Sequence, residues 1–128
     1  MTNVAAFGIN STLPMGFGYS SVAPRARVVT TATQKVMATL QVQASRQSST
    51  LTGSSFRIAV CYEPTDGGAP VPFPGSGLTV IKSPAAEAFT AAGAATPGEG
   101  TWDISFCGSD SASALTVWSV NGVVIVAD

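Results

Sequence analysis

The sequence predicts an all-β protein, an antiparallel β-sandwich or jelly roll of about seven to eight strands. Three observations carry that prediction. Short stretches alternate apolar and polar residues with period two. Clusters of Gly, Pro and Ser separate them as turn signals. No segment combines helical periodicity with the caps of a long helix. At 128 residues the chain is long enough to bury one core and short enough for one domain.

Composition narrows the class further. The chain is 45% hydrophobic but only 10% charged, against a usual charged share of about 25%. Its surface must therefore be built from Ser, Thr, Gly, Ala and Gln. Such a surface suits a secreted β-protein or a subunit of an assembly better than a free enzyme with a dense charged shell. Net charge is −1, and only Arg25 and Arg27 of the six basic residues stand close together. The basic footprint of a nucleic-acid binder is missing. The first residues lack the basic and apolar regions of a signal peptide, and no apolar run is long enough for a spanning helix. The expectation is either a mature form or a chain never routed through a secretory pathway, with no insertion into a membrane.

Residues 1–24 carry no charge. Phe7, Phe17 and Tyr19 stand there, with Pro14 and Pro24 interrupting any regular element. The segment is too apolar for a typical disordered tail. It reads as an extended arm, lying on this domain or on a neighbouring subunit, followed by a single sandwich domain over residues 25–128. Strands are expected over residues 27–33 and 35–44. In the second, Val36, Ala38, Leu40, Val42 and Ala44 share one face, while Met37, Thr39, Gln41 and Gln43 share the other. Residues 45–54 read as a polar loop.

The next strand, residues 55–63, puts Phe56, Ile58, Val60 and Tyr62 on one face and Arg57, Ala59, Cys61 and Glu63 on the other. Pro70, Pro72 and Pro74 forbid a central strand and predict an extended crossing on the surface. Residues 78–82 form a short strand. Ser83-Pro84 offers a helix start, but Glu87 is one place late for a capping box, so an edge strand through Phe89 and Thr90 is preferred. Residues 101–107 follow, with Trp102, Ile104 and Phe106 opposite Asp103, Ser105 and Cys107. Residues 108–113 read as a loop. Residues 114–127 are rich in Val, and Asn121-Gly122 within them marks either a hairpin or a bulge in one long strand.

Cys61 and Cys107 are the only cysteines. Both fall late in a strand and on its more polar face. That favours a disulfide between neighbouring strands of one sheet over a bridge through the core. If oxidised, a loop of 46 residues is worth about 4 kcal/mol in the chain-entropy account; the alternative is two reduced cysteines in a cytosolic fold. The two cysteine strands then read as a brace for a presented surface.

No histidine is present. That removes Ser-His-Asp and Cys-His systems and the commonest metal ligand. No metal site, cofactor site or catalytic residue is expected. The acids available for a carboxylate pair are Glu63, Asp66, Glu87, Glu99, Asp103 and Asp110, and most read as turn residues. Neither Lys35 nor Lys82 sits in a Ser-Lys motif, and Asp110 lacks EF-hand spacing. Trp102 is in phase with Ile104 and Phe106 and reads as core. Trp118 fits a core, an interface or a stacking platform.

Residues 58–62, Phe89-Thr90, the run 97–107 through Trp102, and residues 120–126 together resemble a group of small bacterial and bacteriophage β-sandwich modules. These are similar to jelly-roll heads of the C1q and tumour-necrosis-factor type, found on phage tails, fibres and capsid exteriors. The resemblance covers roughly residues 28–127 and implies a non-enzymatic, often oligomeric module for decoration or adhesion. The chain departs from fibre-tip members in lacking a Gly-X-Y stalk. The expectation is a structural subunit at a virion surface or in an extracellular assembly, with Phe7, Phe17, Tyr19 and Trp118 as candidate partner contacts. The alternative is a module that binds a cell-surface glycan through Trp118 or Tyr62.

Overall fold

The computed structural model describes the backbone of residues 2–7, 11–13, 16–46, 55–81, 87–110 and 115–128, and the side chains of 25–43, 57–77, 88–108 and 120–128. Among the described residues the regular elements are strands: β1 (Thr2–Phe7), β2 (Ser11–Leu13), β3 (Gly16–Thr30), β4 (Lys35–Arg46), β5 (Ser55–Pro64), β6 (Val71–Pro72), β7 (Leu78–Ile81), β8 (Glu87–Ala95), β9 (Gly100–Asp110) and β10 (Leu115–Ala127). They form two antiparallel five-stranded sheets. The first has the order β1-β10-β4-β8, with β2 also on β10. The second has the order β3-β9-β5-β6, with β7 also on β5.

The sandwich class is as the alternation predicts, and the larger strand number has a simple origin. β1 and β2 lie end to end along β10. β6 and β7 lie end to end along β5. With each such couple taken as one position, eight positions remain. They pair first with eighth, second with seventh, third with sixth and fourth with fifth. The change from uncharged to charged sequence at residues 24 and 25 falls inside β3, which crosses it as one strand.

One core fills the space between the sheets. Val36, Ala38, Leu40 and Val42 of β4 face it, as do Ile58 and Val60 of β5, Ile104 and Phe106 of β9, and Val120, Val124 and Val126 of β10. Strand parity produces this directly, since alternate side chains leave a strand on opposite faces. Tyr62, Phe89 and Trp102 pack against the same cluster from its margins.

The proline-rich crossing departs from the surface path expected of it. Its prolines do limit β6 to two residues. Yet Phe73 is 1% exposed and belongs to the core. Its amide donates to Val60 O at 2.7 Å. The buried Ser76 hydroxyl accepts from the Val60 amide at 3.2 Å. That hydroxyl also lies 2.9 Å from Phe73 O and 3.3 Å from Val60 O, one of which takes its proton. Ser76 therefore continues the β5 ladder in the gap between β6 and β7. On the opposite sheet, Gly93 makes room for the crossing. A Cβ there would stand 3.0 Å from Ser76 Cβ and 3.1 Å from Phe73 Cβ.

β8 is a strand and lies at the edge of the first sheet, so the helix alternative for this region fails from Glu87 onward. Residues 82–86 lie outside the described residues. β4 extends to Arg46 and β9 to Asp110, so the loops expected there are shorter, and residues 47–54 and 111–114 are not described.

Asn121-Gly122 is not a hairpin. β10 is a single strand whose register against β1 shifts between the partners of Ala5 and Phe7, Val123 and Val120. A second shift, against β4, falls at Trp118. From Val120 to Val126 one parity faces the core, with Val120, Val124 and Val126 buried and Val123 exposed. Gly122 stands opposite Leu40 on β4. A Cβ there would collide with the Thr39 carbonyl oxygen and come 2.8 Å from Leu40 Cα.

Two stability outcomes follow from these contacts. Ser76→Ala is expected to cost about 1–3 kcal/mol by urea unfolding, because the buried Val60 amide loses its acceptor. Gly122→Ala is expected to cost a similar amount, about 1–3 kcal/mol, through overpacking against backbone that cannot move aside.

Candidate interaction surface

The two sheets turn chemically different faces outward. On the second sheet, the face away from the core holds charge and the disulfide. Arg27 on β3, Asp103 on β9 and Glu63 on β5 occupy directly opposed positions in one row. Arg27 binds Asp103 through both carboxylate oxygens, Nε to Oδ1 at 3.0 Å and Nη2 to Oδ2 at 3.3 Å. Arg25 Nε lies 3.1 Å from Glu63 Oε1. Both carboxylates are buried and both arginines are exposed. The hydrogen bond from Arg27 to Asp103, and then the charge of that carboxylate, raise the Arg27 pKa above its ordinary value.

Cys61 and Cys107 are joined, with Cα atoms 5.9 Å apart. The ladder sets Ala59 opposite Cys107 and Cys61 opposite Ser105, so the bridge runs diagonally between neighbouring strands. It lies on the face predicted from parity. With Ala59 it makes a second buried cluster, separate from the main core. Because Ala59, Cys61 and Cys107 are all fully buried, the centre of this face is not the presented surface that the brace reading expected.

The first sheet presents a different face. Met37, Thr39, Gln41 and Gln43 on β4 point away from the core, beside Asn121, Val123 and Ile125 on β10 and Ala88, Thr90, Ala92 and Ala94 on β8. Three cross-strand rows result: Met37 with Ile125 and Ala94, Thr39 with Val123 and Ala92, and Gln41 with Asn121 and Thr90. Met37 is 39% and Val123 is 38% exposed. The strands of this sheet carry charge only at their ends, at Lys35 and Arg46 of β4 and at Glu87 of β8. One end of the face is apolar and the other carries amides. Sequence reading placed these residues on the outward parity of β4, but not as a surface. The signal for the surface is the charge-free interior of β4, β8 and β10, and it becomes legible only once these strands are known to be neighbours.

The other predicted residues fall as follows. Trp102 packs on the core margin, as its phase indicates. Its indole N–H points to Thr30 Oγ1 at 3.1 Å and Gly98 O at 3.3 Å. Tyr62 stands edge-on between Phe73 and Trp102, with ring centroids 5.6 and 5.5 Å away. Phe7 ends β1 opposite Val120, Phe17 and Tyr19 lie in β3, and Trp118 lies in β10. The side chains of these four are outside the described residues.

Of the acids, Glu63 and Asp103 lie in strands, as the sequence places them, and each faces an arginine. Asp66 and Glu99 line a shallow cleft of about 330 Å3 with Pro64, Thr65, Gly100, Thr101 and Trp102. Both of these acids are exposed.

Comparison with models of known protein families finds no match, and no curated protein matches the sequence.

Removing the bridge by Cys61→Ala with Cys107→Ala frees a separation of 46 residues. The expected loss is about 4 kcal/mol from chain entropy, read as a lower urea midpoint than the oxidised parent.

Proposed function

We propose that the chain is a non-enzymatic structural module, a subunit of a virion (of phage decoration or tail type) or of an extracellular assembly. The outer face of its first sheet is the surface that meets neighbouring subunits. The observation that carries this reading is the absence of charge from the interior of all the strands forming that face, with Met37 and Val123 exposed on its two central strands. A solvated face normally carries Lys, Glu, Asp or Arg, whereas the core of an interface is depleted in charge and enriched in residues such as Met.

The size is of the right order. Four strand positions at about 4.8 Å and nine residues at about 3.4 Å span roughly 19 by 30 Å, or about 570 Å2 in projection. A standard interface covers about 800 Å2 per partner. The nested pairing of eight strand positions is compatible with a jelly roll, the architecture that the resemblance to phage and C1q-type heads implies. The virion setting rests on that resemblance.

Sedimentation velocity of the full chain tests the reading. The parent is expected to run as an oligomer, and Thr39→Lys, in the central row, is expected to shift it toward monomer with unchanged circular dichroism. A parent that stays monomeric at high micromolar concentration contradicts the reading. Saturable binding by such a monomer on a glycan array would support the alternative instead.

A further inference from the structure

At one end of the sandwich, the turn after β5 and the turn into β9 form the two walls of a cleft of about 330 Å3. The walls spring from paired residues, since Pro64 stands opposite Trp102 in the β5–β9 ladder. One wall is held by a turn in which the Gly67 amide donates to Pro64 O at 3.3 Å, with Gly67 at a φ of 101°. The other is tied to the sheet at Gly98 O. That carbonyl accepts from the hydroxyl of the buried Thr30 and from the indole N–H of Trp102, the latter at 3.3 Å. The chain's own hydrogen bonds thus set the shape of the cleft, which lowers the cost of ordering it around a ligand.

Each wall contributes one carboxylate, Asp66 from the first and Glu99 from the second, and both residues are exposed. Trp102 contributes an aromatic ring. Its Nε1 is committed to Thr30 Oγ1 and Gly98 O, so the indole brings no donor to the cleft. Gly100 lies against this ring. A Cβ at that position would stand 3.5 Å from Cε2 and Nε1 and 3.6 Å from Cζ2, so glycine leaves that part of the indole clear of a side chain from position 100.

We infer that this cleft takes the guanidinium of an arginine side chain presented by a partner protein. Charge decides the class of ligand. A neutral ligand such as a sugar ring would strip water from two carboxylates without supplying a counter-charge. A calcium ion takes about six to eight oxygen ligands, whereas the third group here is an indole. A guanidinium supplies the positive charge, carries a planar fork of donors for the two carboxylates, and lies favourably against an aromatic ring. The cleft shares no residue with the neutral rows of the first sheet, so this inference does not rest on the assembly reading.

The isotope-labelled full chain is titrated with acetyl-Gly-Arg-Gly amide, and with the same peptide carrying citrulline, which keeps the shape of arginine and lacks its charge. Backbone amide shifts at Asp66, Glu99 and Thr101, with the indole N–H shift of Trp102, read occupancy of the cleft. Saturable shifts are expected with the arginine peptide. The citrulline peptide is expected to bind about ten-fold or more weakly, and Asp66→Asn with Glu99→Gln to weaken arginine binding by a similar factor. Both substituted positions are exposed, and circular dichroism checks that this variant is folded.

Equal binding of the two peptides overturns the assignment of a cation. Arginine binding unchanged in the double variant overturns the assignment to this cleft. Displacement of the arginine peptide by an equal concentration of calcium chloride makes the cleft a metal site and overturns the guanidinium. If neither peptide gives saturable shifts, the inference fails altogether, and the assembly reading is untouched.

Discussion

The register between β5 and β9 is the constraint on which the rest of the structure depends. It sets Val60 against Phe106 and Tyr62 against Ile104. Parity then sends these four side chains toward the opposite sheet and sends Ala59, Cys61 and Cys107 the other way. A slip of one residue would exchange the two sets, putting the cysteines in the core and the aromatics outside. The disulfide fixes this register covalently, and the hydrogen bonds of Val60, donated to Ser76 and accepted from Phe73, hold the edge of β5. The ladder then passes outward through β9 to β3, whose continuation into β4 brings the chain onto the first sheet.

The division of charge follows the division into sheets. Arg25, Arg27, Glu63 and Asp103 cluster on the second sheet, where the buried carboxylates require their arginines. An ionised group removed from water is tolerated when it is paired. The first sheet contains no such arrangement in its interior. Its outward rows are Met, Val, Ile, Ala and Thr at one end and Gln and Asn at the other. Such a face can be buried against a neighbour without the desolvation cost of a charge, and its amides can still bond across the contact.

Much of this was legible in the sequence because it depends on period two alone. The faces of β4, β5 and β9 and the shared face of the two cysteines come from counting parity, and the strand character of β8 from the missing capping box. Other features depend on partners that alternation does not name. Residues 2–7 form a strand because β10 supplies a ladder for them, not because their own pattern marks one. Phe73 was hidden among prolines that describe only the path of the backbone, whereas its burial depends on the Val60 carbonyl and on the room left by Gly93. Asn121-Gly122 is the pair that tight hairpins use, but here the glycine answers the close approach of β4. The pairing of Glu63 and Asp103 with arginines was not legible, because a sequence does not show which strands lie side by side.

The neutral face stands at the centre of the account, and Met37 reports on it directly. Hydroxyl-radical footprinting of Met37 across a dilution series, read by mass spectrometry of its peptide, measures whether that face is covered. The account predicts slow oxidation at high protein concentration, rising toward the rate of a freely exposed methionine as the protein is diluted. Oxidation at one fast rate throughout, in a sample that sedimentation shows to be assembled, would place the contacts elsewhere and contradict it.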